Sequence, residues 1–472
     1  MRWKLALACA GAAALVGAAP AAAFTPSNSY YAKQWYLAQD SAFAAWPAPP
    51  PLAPVKVAVI DSGVDCNLPD FQGRIAASQS FVGGNPCDDS EGHGTIVAGE
   101  IAGDLDSNGV VGIAYSAQLL VAKVVVSDGT IPLGAESRAI RWAANQGARV
   151  INLSFGAVRD PKSPSVDTYS RVEANAVAYA QAKGALVVAA GGNADEAPSS
   201  PWNYASWPAA LPHVIGVAAL ARSGAVPEFS DRDPTFIDIS APGVDIFSTF
   251  PAPLTAQQQG CQAQGYTDCA APGYTHPEGT SFAAPQVSAA AAVLFAVDPA
   301  LTDSQVGTIL EHSAGDVNAS NGCSGCAAGR DRYTGWGRLD LANAVNAING
   351  AVPARDKSEP NDSRAEAPTL KWRSPSLKAT LDYWDDPVDV YRIRLQKGAV
   401  LAAGVRAKWR KARVHLFLLN HSGAIRSGRD VKPAATQHLR FRAPRSGWYY
   451  LKLRDSRRGG GSYTLRLRKT SP

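Results

Sequence analysis

The sequence predicts an α/β protein: a doubly wound, mostly parallel sheet with helices on both faces, followed by a small antiparallel β-sandwich. Three patterns carry that expectation. Continuous apolar runs rich in β-branched residues recur at Val55–Ile60 (VKVAVI), Leu119–Val126, Arg149–Phe155, Ala185–Gly191 and His213–Leu220, and such runs suit strands covered on both faces. Ala-rich helical stretches, AESRAIRWAANQGA and VEANAVAYAQAKGA, lie between them and run out at Gly, so strands alternate with helices as in βαβ units. Beyond about residue 369 the period becomes two. The strings VYRIRL, VHLFLL, HLRFRA, WYYLKLR and YTLRLR alternate apolar with basic or polar residues, with turn glycines between them at Gly398, Gly423, Gly447 and Gly459 to Gly461. That is the pattern of strands with one wet face.

The chain has 472 residues, 46% hydrophobic and 18% charged. It is long enough for a large core and more than one domain, and too poor in charge for a disordered chain. Its net charge of +5 conceals a split: residues 353–472 carry 27 Lys+Arg against 10 Asp+Glu, giving +17, whereas residues 1–352 carry 18 against 30, giving −12. Two differently charged bodies share the chain. At the N-terminus Arg2 and Lys4 precede an apolar run from Leu5 to Ala18, and Ala21 to Ala23 supply small residues for cleavage. This is the layout of a secretory signal peptide over residues 1–23. The expectation is therefore an exported protein, with one domain over residues 24–352 (24–55 its N-terminal arm), a polar, Pro-interrupted linker over 353–368 and the sandwich over 369–472.

Loss of the signal removes Cys9 and leaves Cys66, Cys87, Cys261, Cys269, Cys323 and Cys326. An even count in an exported chain favours disulfides. Pairing of nearest neighbours is expected, because each such pair closes a short, turn-rich loop. The CxxC at Cys323 and Cys326 leaves a redox pair or half a zinc site open as alternatives.

Three short strings carry potential chemistry. Asp61 ends the first apolar run in AVIDSGVD; His93 stands in EGHGTIVAGEIAG, a Gly-flanked helix start; Ser281 heads the Ala-rich stretch EGTSFAAPQVSAAAAVLFA, whose Pro285 is expected in the first helical turn. Each alone is ordinary: a turn, a structural histidine, a helix cap. Together they supply the parts of acyl transfer. A hydroxyl needs an adjacent base to become a nucleophile, and the base needs a carboxylate to hold its tautomer. A helix N-terminus aims N–H groups where an oxyanion forms. Asn193 in VVAAGGNADE follows another buried strand and is the expected second donor.

The ordered strings DSGVD, GHGTIVAG and GTSFAAP, with GVVGIAYSAQLLVAKVV, INLSFGA, ISAPGVDIFST and YTGWGRLDLANAV, resemble the subtilisin family of serine endopeptidases from about Tyr31 to Ala347. The resemblance implies protein or peptide substrates and a subtilisin-like fold. It implies Ser281 as nucleophile, His93 as proton shuttle, Asp61 as its orienter, and Asn193 with the Ser281 N–H as oxyanion donors. It places Ser154, Phe155 and Gly156 along an extended substrate backbone. Ala190, Gly191 and Gly192 become the wall of the first side-chain pocket, where nearby Asp195 leaves a basic preference open. It also likens GDLDSNGVVG to a calcium loop, with Asp106 and Asp70 as carboxylate ligands of a structural Ca²⁺; a polar surface turn is the alternative. No cofactor is needed for the chemistry.

The chain departs from the family in two respects. About 33 residues between Ala23 and Val57 leave too little room for a compact pro-domain, and SYYAKQWYLAQDSAFAAWP resembles the docked N-terminal arm instead. Folding without an inhibitor domain is expected. Phe282 stands where the family often has Met, and Met1 is the only methionine in the chain.

The strings SEPNDSRAEAPTL, DDPVDVYRIRLQKGAVL and LFLLNHSGAI resemble bacterial pre-peptidase C-terminal domains. Arg392, Arg394, Arg440, Arg442, Lys452, Arg454, Arg466 and Arg468 are expected to face outward, as a solvated face or as a surface for anionic polymers. No nucleic-acid motif and no membrane span is predicted. The competing reading from another class is an exported binding protein with an inert peptidase scaffold, against which the intact Asp61, His93, Asn193 and Ser281 argue.

Overall fold

A computed structural model describes residues 24–47, 52–194, 197–257, 272–348, 358, 361, 363–371, 376–382, 388–410, 414–431, 436–455 and 460–470. The signal segment 1–23, most of the linker, Asp195, and Cys261 with Cys269 lie outside them.

The strands of the first unit are β1 (Lys56–Asp61), β2 (Ile75–Ser80), β3 (Gln118–Lys123), β4 (Val150–Leu153), β5 (Leu186–Ala190), β6 (Val214–Leu220) and β7 (Ile239–Pro242), with a short pair β8 (Ser248–Thr249) and β9 (Tyr274–Thr275). The first seven form one parallel sheet in the order β2-β3-β1-β4-β5-β6-β7. The helices are α1 (Trp35–Gln39), α2 (Ala42–Ala45), α3 (His93–Ala102), α4 (Leu133–Asn145), α5 (Arg171–Ala182), α6 (Ala252–Gln257), α7 (Thr280–Val297), α8 (Asp303–Ser313) and α9 (Leu341–Ile348). Both faces of the sheet are covered. Val57 and Val59 of β1 join the core that contains α3 and α7, while their neighbours Ala58 and Ile60 join the core under α4 and α5. Period-2 alternation into two apolar layers explains why these strands read as unbroken hydrophobic runs.

Helix α7 is the central rod of one layer. By length and composition it is apolar enough to cross a membrane, but 83% of that stretch is buried inside the domain, which makes it a core helix. Pro285 does not fall in its first turn as expected. The helix begins at Thr280, so Pro285 sits in the second turn, where its missing N–H leaves the Ser281 carbonyl without a helical donor. The Ser154 hydroxyl fills that role, donating to the Ser281 oxygen at 2.7 Å.

The N-terminal arm docks as expected. Tyr36, Leu37 and Trp46 are buried, Trp46 Nε1 donates to the Ile113 carbonyl, and the Gln34 side chain makes paired bonds with the Val111 backbone. Disulfides join Cys66 to Cys87 and Cys323 to Cys326, as nearest-neighbour pairing anticipates.

The second unit is a sandwich of two antiparallel four-stranded sheets. Its strands are β10 (Ser376–Asp382), β11 (Val388–Leu395), β12 (Val400–Arg410), β13 (Val414–Leu419), β14 (Ile425–Val431), β15 (Thr436–Arg442), β16 (Gly447–Asp455) and β17 (Gly460–Thr470). One sheet runs β10-β17-β12-β15 and the other β11-β16-β13-β14. Leu381, Ile393, Leu401, Leu416, Leu451 and Leu465 meet between them. The basic residues alternate outward: Arg392, Arg394, Arg440, Arg442, Arg454, Arg466 and Arg468 are exposed and Lys452 is half-buried.

Candidate active site

Asp61 is the last residue of β1 and His93 the first of α3. Two features bring these ends together. Gly94 presses against the β1 terminus so closely that a Cβ there would lie 2.1 Å from the Gly63 carbonyl oxygen. Buried Asp89 accepts five hydrogen bonds, from the Glu91, Gly92 and Thr95 N–H groups and the Ser62 and Thr95 hydroxyls. These bonds satisfy orphan donors at the start of α3, and the Ser62 hydroxyl links Asp89 to the residue after Asp61. Sequence reading missed Asp89, although an acid four residues before a helical His is a visible capping signal.

His93 Nδ1 lies 2.8 Å from Asp61 Oδ1. A carboxylate oxygen only accepts, so Nδ1 carries the proton and Nε2 is left free to accept one. The histidine side chain is 33% exposed and the aspartate 3%. Burial pulls the imidazole pKa down, but the charge and hydrogen bond of Asp61, with Asp89 and Glu91 nearby, outweigh it and raise His93 above its ordinary value. Phe282 packs against the His93 ring with centroids 5.2 Å apart.

Ser281 is the second residue of α7, where its N–H has no acceptor within the helix. A buried relay holds its carbonyl: the Ser288 hydroxyl donates to Asn152 Oδ1, Asn152 Nδ2 donates to Ser154 Oγ, and Ser154 donates to Ser281. Asn193 Oδ1 accepts both the N–H and the hydroxyl of Thr280 at 3.0 Å. With its oxygen occupied, Nδ2 is the donor left to face the cleft.

One cleft of about 520 Å³ is lined by Asp61, His93, Ser154, Phe155, Gly156, Ala190, Gly192, Asn193 and Ser281. Of the expected substrate-facing residues, Gly191 alone is set back. It follows Ala190 and precedes Gly192 in extended chain, so it faces the opposite side, where a Cβ would meet Ile237 and Val217. Among the titratable groups that line the cleft, Glu91, Glu136 and Glu173 were not foreseen.

Asp70 and Asp106 are brought together elsewhere, by the loop after α3. Asp70 is buried; its carboxyl accepts the Val110 N–H and the Tyr274 hydroxyl. Burial raises its pKa, those two bonds oppose the rise, and the charge of nearby Asp106 adds to it. The carbonyls of Asp104, Asn108 and Val110 converge on the Asn28 side-chain nitrogen at 2.8, 2.6 and 3.0 Å, while Asn28 Oδ1 is buried without a partner. Asn28 was not anticipated, since nothing in the sequence ties it to a loop 80 residues away.

A hydroxyl at a helix N-terminus, an imidazole oriented by a carboxylate and a fixed amide donor in one cleft define a serine hydrolase. Residues 53–337 match the model of the subtilase family, and the chain belongs to that family of serine endopeptidases. It is 34% identical over 268 residues to Subtilisin BL of Lederbergia lenta, covering 57% of this chain and 86% of that protein. With the thermophilic serine proteinase of Bacillus sp. (strain AK1) it shares 31% identity over 328 residues, 69% of this chain and 70% of the other. The solved structure of Sphericase superposes with a TM-score of 0.50 at 29% identity, covering 64% of this chain and 97% of that one.

Proposed function

We propose that the chain is an exported endopeptidase in which Asp61, His93 and Ser281 act as a triad and Asn193 assists an oxyanion hole. The observation that carries this is the cleft in which an Asp61-oriented His93 shares walls with Ser281 and Asn193. Ser281 Oγ attacks the scissile carbonyl as His93 Nε2 takes its proton. Asn193 Nδ2 and the Ser281 N–H stabilise the tetrahedral oxyanion. His93 then protonates the leaving amine, and water hydrolyses the acyl-enzyme by the same route in reverse. Removal of one oxyanion donor costs about 10²–10³ in turnover, a magnitude known from subtilisin itself. Ser154, Phe155 and Gly156 offer main chain to an extended substrate, and Ala190 and Gly192 leave room for a large first side chain. Digestion of an unfolded protein, with mass spectrometry of both products, tests the reading: Ser281→Ala should lower turnover by about 10⁶, and a variant that still cleaves would overturn it.

A structural Ca²⁺ fits beside the N-terminal arm. An amide nitrogen has two hydrogens, yet three carbonyls converge on that of Asn28; turned over, the amide would present Oδ1 at the same focus. With Asp70 and Asp106 this makes the all-oxygen donor set that Ca²⁺ prefers. The ion would tie the arm to the loop after α3 and take no part in the chemistry. Chelation should then lower the melting temperature; an unchanged melt would show that no structural ion ties the arm to the loop.

The outward basic strands of the sandwich supply an anion-binding surface. It includes a concavity of about 380 Å³ lined by Lys378, Arg406, Lys408 and Arg466. Retention of the full chain on an anionic matrix should fall steeply with salt, and salt-independent behaviour would count against this role.

A further inference from the structure

Besides the Asp61–His93 pair, the cleft is lined by two glutamates that stand together. Glu136 lies in the first turn of α4 and Glu173 in the first turn of α5, and because these helices pack side by side the two turns meet. Their residues are only 3% and 4% exposed, yet both line the cleft. They are absent from the acidic neighbours that raise His93, which are Asp61, Asp89 and Glu91. The catalytic histidine is therefore served by other carboxylates.

Among the described residues the pair has no cation: no lysine or arginine lines the cleft, none is among the groups acting on either carboxyl, and Glu136 Oε1 is buried with no hydrogen-bond partner there. The two carboxyls bond to one another, which requires a proton between them. Burial, then the Glu173 charge and that bond, push Glu136 up to about 9; burial lifts Glu173 to about 7, with the bond from Glu136 pulling back. At about pH 8 the pair thus holds one proton and one negative charge, at two helix ends whose dipoles favour a negative charge. Packing alone would be better served by aliphatic side chains, since desolvating a carboxyl opposes folding.

We propose that Glu136 and Glu173 form a specificity subsite that takes a cationic side chain, lysine or arginine, of the substrate peptide. The long aliphatic stem of such a side chain would lie along the apolar lining from Ile131 and Leu133, with its charge reaching the pair. This rests on the endopeptidase reading of the cleft and adds a substrate class to it. Recognition is by a buried, otherwise uncompensated carboxylate, so a neutral residue of equal length leaves the charge unpaired.

The test is a positional scan with internally quenched peptides cleaved by the full chain at about pH 8. Lysine, norleucine and glutamate are placed in turn at each position around the scissile bond. At one position lysine should exceed norleucine in kcat/KM by about 10-fold or more, with glutamate poorest. In Glu136→Leu and, separately, Glu173→Gln, the lysine-to-norleucine ratio at that position should collapse towards one. Equal rates for lysine and norleucine at every position in the unaltered protein would overturn the subsite while leaving the endopeptidase reading intact. Because Glu91 lines the same cleft, a lysine preference that persists undiminished in either folded variant would also overturn the subsite. Failure to cleave any peptide would overturn both.

Discussion

Asp89 and the Glu136–Glu173 pair are buried to the same degree at helix N-termini serving one cleft, yet they are built in opposite ways. Asp89, 4% exposed, accepts five hydrogen bonds from the turn that carries His93. Glu136 has an oxygen with no donor among the described residues, and the pair relies on a proton of its own. Donors arranged in advance let a carboxylate fix a backbone; carboxyls without donors hold a charge poised for something that arrives later. The same burial therefore serves structure in one place and recognition in the other.

The largest break in this comparison should come from Asp89→Ala. It orphans several buried donors at the start of α3, and a loss of about 3 kcal/mol in urea-measured stability is expected, together with a fall in kcat as His93 loses its fixed position. Stability within about 0.5 kcal/mol of wild type would show that Asp89 does not hold the turn.

The pair should show the reverse behaviour in a stability–pH curve. Both glutamates titrate in the folded protein above the ordinary carboxyl value of 4.5, near about 7 and about 9. Their protonation thus stabilises the fold fully below about pH 4.5, and that contribution is lost as pH rises through about 7 and then about 9. The double variant Glu136→Leu with Glu173→Leu should flatten the decline between those limits. An identical slope in the double variant would mean that other groups carry it.

The smallest effect sharpens the donor side. Thr95→Val removes one of the five bonds to Asp89 and the acceptor of the Asp65 N–H, which should cost about 1–2 kcal/mol with Asp89 otherwise held. A neutral result would assign the turn's stability to the backbone donors alone.

The Asp61–His93 pair, the placing of Ser281 and Asn193 in the same cleft and the parallel sheet were legible because they sit in contiguous strings whose local rules are strong: apolar runs for strands, Gly-flanked caps, a hydroxyl at a helix head. Pro285 shows the limit of such rules. Its tolerance depends not on the first turn but on Ser154, 127 residues away from Ser281, supplying the hydrogen bond that the proline cannot cause the helix to make. Gly191 was placed on the pocket wall because its neighbours belong there, and strand alternation turns it away. The glutamate pair was invisible for a different reason: each residue reads as an ordinary acid in a first helical turn, and only the packing of α4 on α5 makes them one group. The outward arginines needed no tertiary information, since period-2 alternation already dictates them; short loops only favoured the two disulfides, and the structure decides for them over the other pairings and over a redox or half-zinc CxxC.

The most direct test of the proposed Ser281–His93–Asp61 triad is the pH dependence of fluorophosphonate labelling of the full chain, with the modified residue identified by peptide mapping. Stoichiometric labelling at Ser281 is expected. The rate should rise with pH as His93 loses its proton, with a midpoint above the ordinary imidazole value of 6.5 because Asp61 and its acidic neighbours outweigh burial, and the labelling should vanish in Ser281→Ala. Absence of labelling in folded protein, or labelling that survives the loss of Ser281, would contradict the triad.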